Sequence, residues 1–151
     1  MLSSIFLYKG CSMPVQKVNW LAVIVAAIAF YAWGALYFTL LKVPYSAAAG
    51  YTADQMANGG KDPMPYVISF IAALVLAFGT AIALADSDQP GARHGVEFGV
   101  FMGIIVFATN FLSINAFLLK PYTLWLIECG YVIVGMAIVG AIIGGWRKHT
   151  A

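Results

Sequence analysis

Four long apolar runs divide the chain and predict its main elements. They are Asn19–Leu41, Met64–Ala85, Gly95–Leu119 and Thr123–Trp146. Each run is longer than the roughly 20 residues that an α-helix needs to cross about 30 Å of hydrocarbon. The sequence therefore predicts an all-α integral membrane protein, built as a four-helix transmembrane bundle.

The polar segments between the runs predict how the spans are connected. Asp86–Ala92 and Lys120-Pro121 are short, so the second and third spans, and the third and fourth, should form two antiparallel hairpins. The one sizeable connection is an extramembrane loop over residues 42–63. Within it we expect a short helix over Thr52–Asn58, capped by Thr52. This loop is either a plain surface connection or a lid over a site.

Composition narrows the possible functions. The chain is 62% hydrophobic and only 9% charged, whereas soluble domains carry about 25% charged residues. We therefore expect one transmembrane domain over residues 19–147 and no soluble enzyme module. The formal net charge of +2 gives no reason to expect nucleic-acid binding. The two cysteines, Cys11 and Cys129, show no metal or disulfide spacing. No catalytic, cofactor or metal site is predicted, and the chain is not expected to be an enzyme.

Basic residues predict the orientation in the membrane. Four spans place both termini on one side, and Lys and Arg favour the cytoplasm. The terminal side carries five basic residues and the opposite side three: Lys9, Lys17, Arg93, Arg147 and Lys148, against Lys42, Lys61 and Lys120. Residues 1–18 are therefore expected to form a cytoplasmic tail. Met13 begins a second plausible start, which leaves open whether residues 1–12 belong to the natural protein.

Small residues recur at four-residue spacing along the spans. The third span has Gly95, Gly99 and Gly103, and the fourth has Gly140 and Gly144. Residues four apart share a helix face, and small residues let helices in lipid approach closely. These glycine faces either pack inside the monomer or serve self-association and docking to a larger partner. A weaker row of the same spacing lies in the second span: Ala73, Ala77, Ala81 and Ala85.

Two carboxylates lie within or beside the spans. Glu97 is one turn from Arg93, which favours a structural ion pair near a helix start. Glu128 lies roughly 8–9 Å into the fourth span at about 1.5 Å per residue, and no basic residue is within a turn of it. Tyr131 follows three residues later on the same helix face. Ionisable groups inside a span have a functional interpretation by default.

The third span should supply partners for Glu128 because it runs antiparallel to the fourth. Asn110 and Ser113 share a face and should pass at similar depth, with Asn115 nearer the surface. We therefore predict a polar cluster of Glu128, Asn110, Tyr131 and Ser113. A neutral Glu128 could donate a hydrogen bond to Asn110 and join two helices. A titrating Glu128 could carry a proton or bind a cation, and the sequence leaves both alternatives open.

Several short motifs, in matching order from about Val18 to Arg147, resemble one known family. They are Asn19–Val23, Gly34–Tyr37, Thr109–Phe111, Leu124–Ile127 with Gly130-Tyr131, and Gly135-Met136 through Gly144-Gly145-Trp146-Arg147. That family is a bacterial four-span membrane family, known only as domain of unknown function 1761. The resemblance implies a four-span fold in a bacterial inner membrane. It implies no activity, cofactor or catalytic residue.

These observations lead to two functional hypotheses. The first is a non-enzymatic structural or accessory subunit that associates laterally through its glycine faces, as a homo-oligomer or within a larger membrane complex. The alternative is a small oligomeric transporter or channel that uses the intramembrane Glu128. In both, the expected surroundings are the lipid bilayer and other membrane helices, with no nucleic acid.

Overall fold

The computed structural model describes residues 18–85, 87 and 91–146, and these residues form helices and turns without a β-strand. Expectations for the tail and for Arg147 and Lys148 lie outside the described residues. The helices, in chain order, are α1 (Trp20–Leu40), α2 (Lys42–Ala49), α3 (Ala53–Asn58), α4 (Met64–Ala85), α5 (Ala92–Met102), a π-helical turn (Gly103–Ala108), α6 (Thr109–Phe117) and α7 (Tyr122–Gly145).

Four of these segments are long and apolar enough to cross a membrane. They are α1, α4, the continuous third span Ala92–Phe117, and α7. Helices suit this solvent because their backbone hydrogen bonds are satisfied within the segment. The prediction of an all-α, multi-pass membrane protein is confirmed.

Asn19 ties together the two ends of the chain's membrane domain. Its side-chain oxygen accepts hydrogen bonds from the backbone N–H groups of Leu21 (3.2 Å) and Ala22 (3.5 Å), which caps α1. Its amide nitrogen donates to the carbonyl oxygen of Trp146 (2.8 Å), just beyond α7. We call the end of the bundle that carries Asn19 and Trp146 the terminal end. The opposite end, which carries α2, α3 and the Lys120-Pro121 turn, is the loop end.

The fourth span, α7, is the central helix. It packs against α1, α4, α2 and all three parts of the third span. The third and fourth spans form the predicted antiparallel hairpin. The second predicted hairpin is not a packed pair: α4 packs on α1 and α7, and it makes little contact with α5. The short connection joins the second and third spans in sequence, but their small-residue faces pack on different helices. The face of α4 packs on α1, and the face of α5 packs on α7.

The glycine faces of the third and fourth spans pack against each other inside one copy. A Cβ atom on Gly95 would overlap the carbonyl oxygen of Gly140, and one on Gly140 would overlap that of Gly95. A Cβ on Gly103 would lie 3.0 Å from the Cα of Ile133, and one on Gly144 would lie 2.6 Å from the carbonyl oxygen of Gly91. Of the two uses that the sequence left open, these faces serve packing within the monomer.

The alanine row of α4 packs in the same way against α1. Ala73, Ala77 and Ala81 are buried, and they meet Ala26 and Ala27 in the apolar core at the terminal end. Between α1 and α4, the predicted short helix is present as α3, with a reciprocal capping box between Thr52 and Gln55.

The sequence does not predict helix α2. The sequence predicts a loop from residue 42, with Lys42 and Pro44 ending the first span, but Pro44 lies in the first turn of α2, where a missing N–H costs nothing. The connection over 42–63 is therefore mostly helical, and α2 packs against α7.

Candidate functional site

Glu128 is paired across the hairpin with Asn115. The side-chain amide of Asn115 in α6 donates to the Oε2 atom of Glu128 in α7 at 2.6 Å. Asn115 is buried and Glu128 is half-buried. Hydrogen bonds to a charged group are stronger than neutral ones, about 1.5–3 kcal/mol. This bond therefore anchors the loop end of α6 to α7.

The second carboxylate oxygen of Glu128 remains available. In the part of the chain that the structure describes, Glu128 makes one hydrogen bond, through Oε2. No enclosed side-chain oxygen or nitrogen among those residues lacks a partner. The Oε1 atom must therefore reach open space, where a proton, a cation or a donor group could approach it.

One tyrosine of the connection, Tyr45, lies near Glu128, and a second, Tyr51, is its partner. Tyr45 of α2 lies outside the spans, and the charge of Glu128 contributes to its pKa. Burial raises the pKa of Tyr45 to about 12, with smaller contributions from its hydrogen bond with Tyr51 and from the charges of Tyr51 and Glu128. Tyr45 therefore keeps its proton at physiological pH. We call Glu128, Asn115, Tyr45 and Tyr51 the Glu128 site.

At the loop end, the basic residue Lys120 bonds to α2 and not to the Glu128 carboxylate. Lys120 donates from Nζ to the carbonyl oxygen of Ala49 at 2.7 Å. Ala49 ends α2, where carbonyl groups lack intrahelical partners and a cation is favourable. Gly50 follows in the left-handed conformation (φ 78°), which favours glycine. This bond holds α2 against the α6–α7 turn.

The π-helical turn explains why Asn115 faces Glu128. In an uninterrupted α-helix, the face that carries Gly99 and Gly103 would continue near Asn110 and Ser113. The π turn inserts an extra residue, so the next buried positions are Ala108, five residues after Gly103, and Asn115, seven residues later. The turn rotates the rest of the third span about its axis.

The predicted cluster of Glu128 with Asn110 and Ser113 is therefore wrong in these two members. Both side chains are exposed on the outside of the bundle. Asn110 and Ser113 would face α7 only with a uniform 3.6-residue period through the third span, and the π turn breaks that period.

Side chains donate hydrogen bonds to backbone carbonyl groups at the end of the π turn. Trp125 donates its indole N–H to the carbonyl oxygen of Ala108 at 2.9 Å. The Thr109 hydroxyl donates to the carbonyl oxygens of Ile105 and of Val106, the latter at 3.3 Å. No water is available in hydrocarbon to bond backbone groups, and these hydrogen bonds from Trp125 and Thr109 stabilise the rotated phase of α6.

Tyr131 does not join the Glu128 site. Its ring lies on the α1 side of α7, with centroids 5.3 Å from Phe30 and 4.9 Å from Phe38. The backbone carbonyl of Tyr131 accepts from the indole N–H of Trp33 at 3.0 Å, and the Tyr37 hydroxyl donates to the carbonyl of Ile127 at 3.0 Å. In the described residues no hydrogen bond joins Tyr131 to Glu128, because Tyr131 packs on rings of α1 and Glu128 bonds to Asn115 of α6.

Glycines make this aromatic interface possible. A Cβ on Gly130 would lie 2.5 Å from the Tyr37 hydroxyl, and one on Gly135 would lie 2.5 Å from the Phe30 ring. Glycine in α7 therefore accepts aromatic side chains of α1, just as glycine in the third span accepts the backbone of α7.

The predicted structural role of Glu97 agrees with its contacts. Arg93 donates from Nε to the Oε1 atom of Glu97 at 3.0 Å, and both side chains are exposed. Across residues 18–85, 87 and 91–146, no group of three or more His, Cys, Asp or Glu side chains could hold a metal ion.

Comparison with known proteins supports the resemblance in the sequence motifs. A family model described as "Protein of unknown function (DUF1761)" matches residues 21–144, which is most of the chain. The chain belongs to this family. No curated protein and no solved structure is similar enough to count as a match. The sequence match thus identifies the family, while the structure shows how the four spans pack and which residues surround Glu128.

Sequence reasoning missed Asn115 and Tyr45 as neighbours of this carboxylate, and Tyr51 as the partner of Tyr45. The sequence predicts Asn115 nearer the surface than Asn110 and Ser113. The short link Lys120-Pro121 already brings it close to Glu128 along the antiparallel pair, and that signal could have favoured it. For Tyr45, the signal would have been a helix that starts at Lys42 and places its proline in the first turn.

Proposed function

We propose that the protein is a non-enzymatic structural or accessory membrane subunit that associates laterally with other transmembrane helices. The observation that carries this proposal is the outward direction of Asn110 and Ser113. Both side chains lie on the exposed surface of the third span. A subunit that needs no further contact would gain by having apolar residues there.

The exposed amide has a cost in lipid that a partner helix would remove. Asn110 lies seven residues before the end of the span at Phe117, roughly 10 Å along the helix. Among the described residues its side chain has no hydrogen-bond partner, and neither has that of Ser113. In membranes, such polar groups join helices through interhelical hydrogen bonds worth about 1–2 kcal/mol in model peptides.

This surface replaces the glycine faces as the expected interface. Gly95, Gly99 and Gly140 are buried against backbone inside the monomer, so they are not free for a neighbour. An amide both donates and accepts. Two copies related by a twofold axis could exchange hydrogen bonds through Asn110 alone, and a larger complex could supply a complementary polar group.

Asn110→Leu is expected to weaken association about tenfold, because it removes the interhelical hydrogen bond and leaves the monomer's contacts intact. The measurement is energy transfer between donor- and acceptor-labelled copies in vesicles, over a range of protein-to-lipid ratios. Thr39→Val is the matched control: Thr39 is also exposed, but its hydroxyl already donates to the carbonyl of Ala35 at 2.6 Å. Wild-type protein that stays monomeric and carries no copurifying partner would contradict the proposal.

A second candidate is a small oligomeric transporter or channel that uses Glu128. It is favoured by the unpaired Oε1 atom, because intramembrane carboxylates often mark ion pathways. In the terminal half of one copy, α5 and α7 touch backbone to backbone, and a buried apolar core fills the space between α1, α4 and α7. Conduction would therefore run between copies.

Glu128→Gln separates the two candidates. If the protein transports protons or cations, this change should abolish pH-dependent flux in proteoliposomes, since the amide keeps the shape of the side chain and loses its charge. The accessory-subunit proposal expects no flux from either protein. Flux that is present and unaltered by Glu128→Gln would remove this residue from any transport mechanism.

We place the protein in the bacterial inner membrane with both termini in the cytoplasm. The distribution of Lys and Arg supports this orientation. It would put α2, α3 and the Glu128 site near the outer surface of that membrane.

A further inference from the structure

A cavity of about 250 Å³ lies between α1, α4 and α7 in the loop-end half of the bundle. Five aromatic side chains line it: Phe30, Tyr31, Phe38, Tyr66 and Tyr131. Its outer lining residues, among them Ala35 and Ser69, are exposed. The cavity is therefore open toward the lipid, and molecules dissolved in the membrane can enter it.

The shape of the cavity follows from residue sizes along α1. Near the terminal end, small alanines bring α1 and α4 together. Toward the loop end, Tyr31 and Phe70 meet edge to face with centroids 5.7 Å apart, which keeps the two helices separate. The Tyr131 ring packs on Gly34, where a Cβ would lie 3.2 Å from the ring. The space between α1 and α4 thus stays open.

A hydroxyl group faces this space at depth. Tyr131 lies nine residues beyond the start of α7 at Tyr122, roughly 13 Å along the helix and so near the middle of the bilayer. Its hydroxyl makes no hydrogen bond with the described residues. Since no enclosed side-chain oxygen among them lacks a partner, this hydroxyl reaches open space, and the cavity that Tyr131 lines is that space. Ser69, closer to the surface, adds a second hydroxyl to the lining that makes no hydrogen bond with the described residues.

We propose that this cavity binds a quinone from the membrane phase. No charged side chain lines it, so the occupant is uncharged. Phe and Tyr rings present electron-rich faces, which suit the electron-poor ring of a quinone. The Tyr131 hydroxyl donates to a quinone carbonyl, and the Ser69 hydroxyl can reach further oxygen substituents. Benzene already fits a cavity of roughly 150 Å³, so the available volume accommodates a substituted ring.

The site is a binding site, and the proposal includes no electron transfer. Its occupancy is independent of lateral association, since none of the lining residues lies on the outer face that carries Asn110. Small-molecule sites are commonly apolar, with a few polar groups that fix orientation. Here Tyr131 has that role, while the aromatic rings provide the contact area.

The test is a titration of the full chain, in quinone-free nanodiscs, with decylubiquinone, followed by quenching of tryptophan fluorescence. We expect a saturable component above the collisional background. Tyr131→Phe removes only the hydroxyl and should weaken binding roughly fivefold, as expected for the loss of one neutral hydrogen bond. Ala35→Phe fills the cavity from an exposed position and should abolish the saturable component. Tyr122→Phe, at an exposed tyrosine outside the cavity, should leave it unchanged.

Three outcomes would overturn the proposal. The first is quenching without saturation, which would mean that lipid acyl chains occupy the cavity. The second is saturable binding that neither Ala35→Phe nor Tyr131→Phe alters while both variants keep the helical content of the wild type. The third is displacement of decylubiquinone by tetraphenylphosphonium at similar concentration, which would make the cavity an aromatic site for lipophilic cations.

Discussion

Gly99→Ala is expected to destabilise the bundle by about 3 kcal/mol, the upper end of the usual cost of overpacking. A Cβ atom at Gly99 would overlap the carbonyl oxygen of Met136, and its next neighbours are the Met136 carbonyl carbon and the Ala137 nitrogen. All three are backbone atoms of α7, so no side-chain rotation can relieve the overlap. The helices must move apart, and the contacts of the neighbouring Gly95 and Gly140 are lost with them. The measurement is the unfolding midpoint of the purified protein in a mild detergent.

Gly79→Ala provides the matched control in the same measurement. Gly79 lies inside α4, and a Cβ there would meet nothing within 4 Å. Alanine has the higher helix propensity by up to about 1 kcal/mol in water, so this variant should be as stable as the wild type or more stable. Equal destabilisation by the two substitutions would mean that Gly99 acts through the helix backbone itself and not through close packing.

Local signals in the sequence predicted the elements well. Uninterrupted apolar runs predicted the four spans, including a first span that begins at Asn19, and the Thr52 cap predicted α3. Each signal depends on residues close together in the chain. Pro44 led to a wrong prediction of a loop. Proline disrupts the interior of a helix but is tolerated in the first turn, which is where Pro44 lies in α2.

Long-range geometry was harder to predict for a physical reason. Spacing shows that Gly95, Gly99 and Gly103 share a face, but not which helix covers it. The phase of α6 depends on the π turn, and that turn is stabilised by Trp125, a residue of another helix. No residue within Gly103–Ala108 indicates that the helix takes an extra residue there. A regular helix therefore predicts Asn110 inside the bundle and Asn115 near the surface.

Asn115→Leu is expected to destabilise the monomer by about 1.5–3 kcal/mol, the range for a hydrogen bond to a charged group. Leucine has the same branched arrangement of four side-chain heavy atoms but cannot donate to Glu128, whose Oε2 atom would lose its 2.6 Å partner. The carboxylate would stay half-buried without that bond. The anchor between α6 and α7 at the loop end would be lost, so unfolding of this hairpin should begin there. The measurement is again the unfolding midpoint, taken at a protein concentration low enough to keep the protein monomeric.

The most direct test of the rotated third span compares Asn115→Leu with Asn110→Leu in that monomeric state. The two asparagines are five residues apart and undergo the same chemical change. The structure predicts a clear loss of stability for Asn115→Leu and none for Asn110→Leu, since leucine suits a lipid-facing position better than an amide does. The reverse order would show that Asn110, and not Asn115, faces Glu128, and the account of the π turn would be wrong.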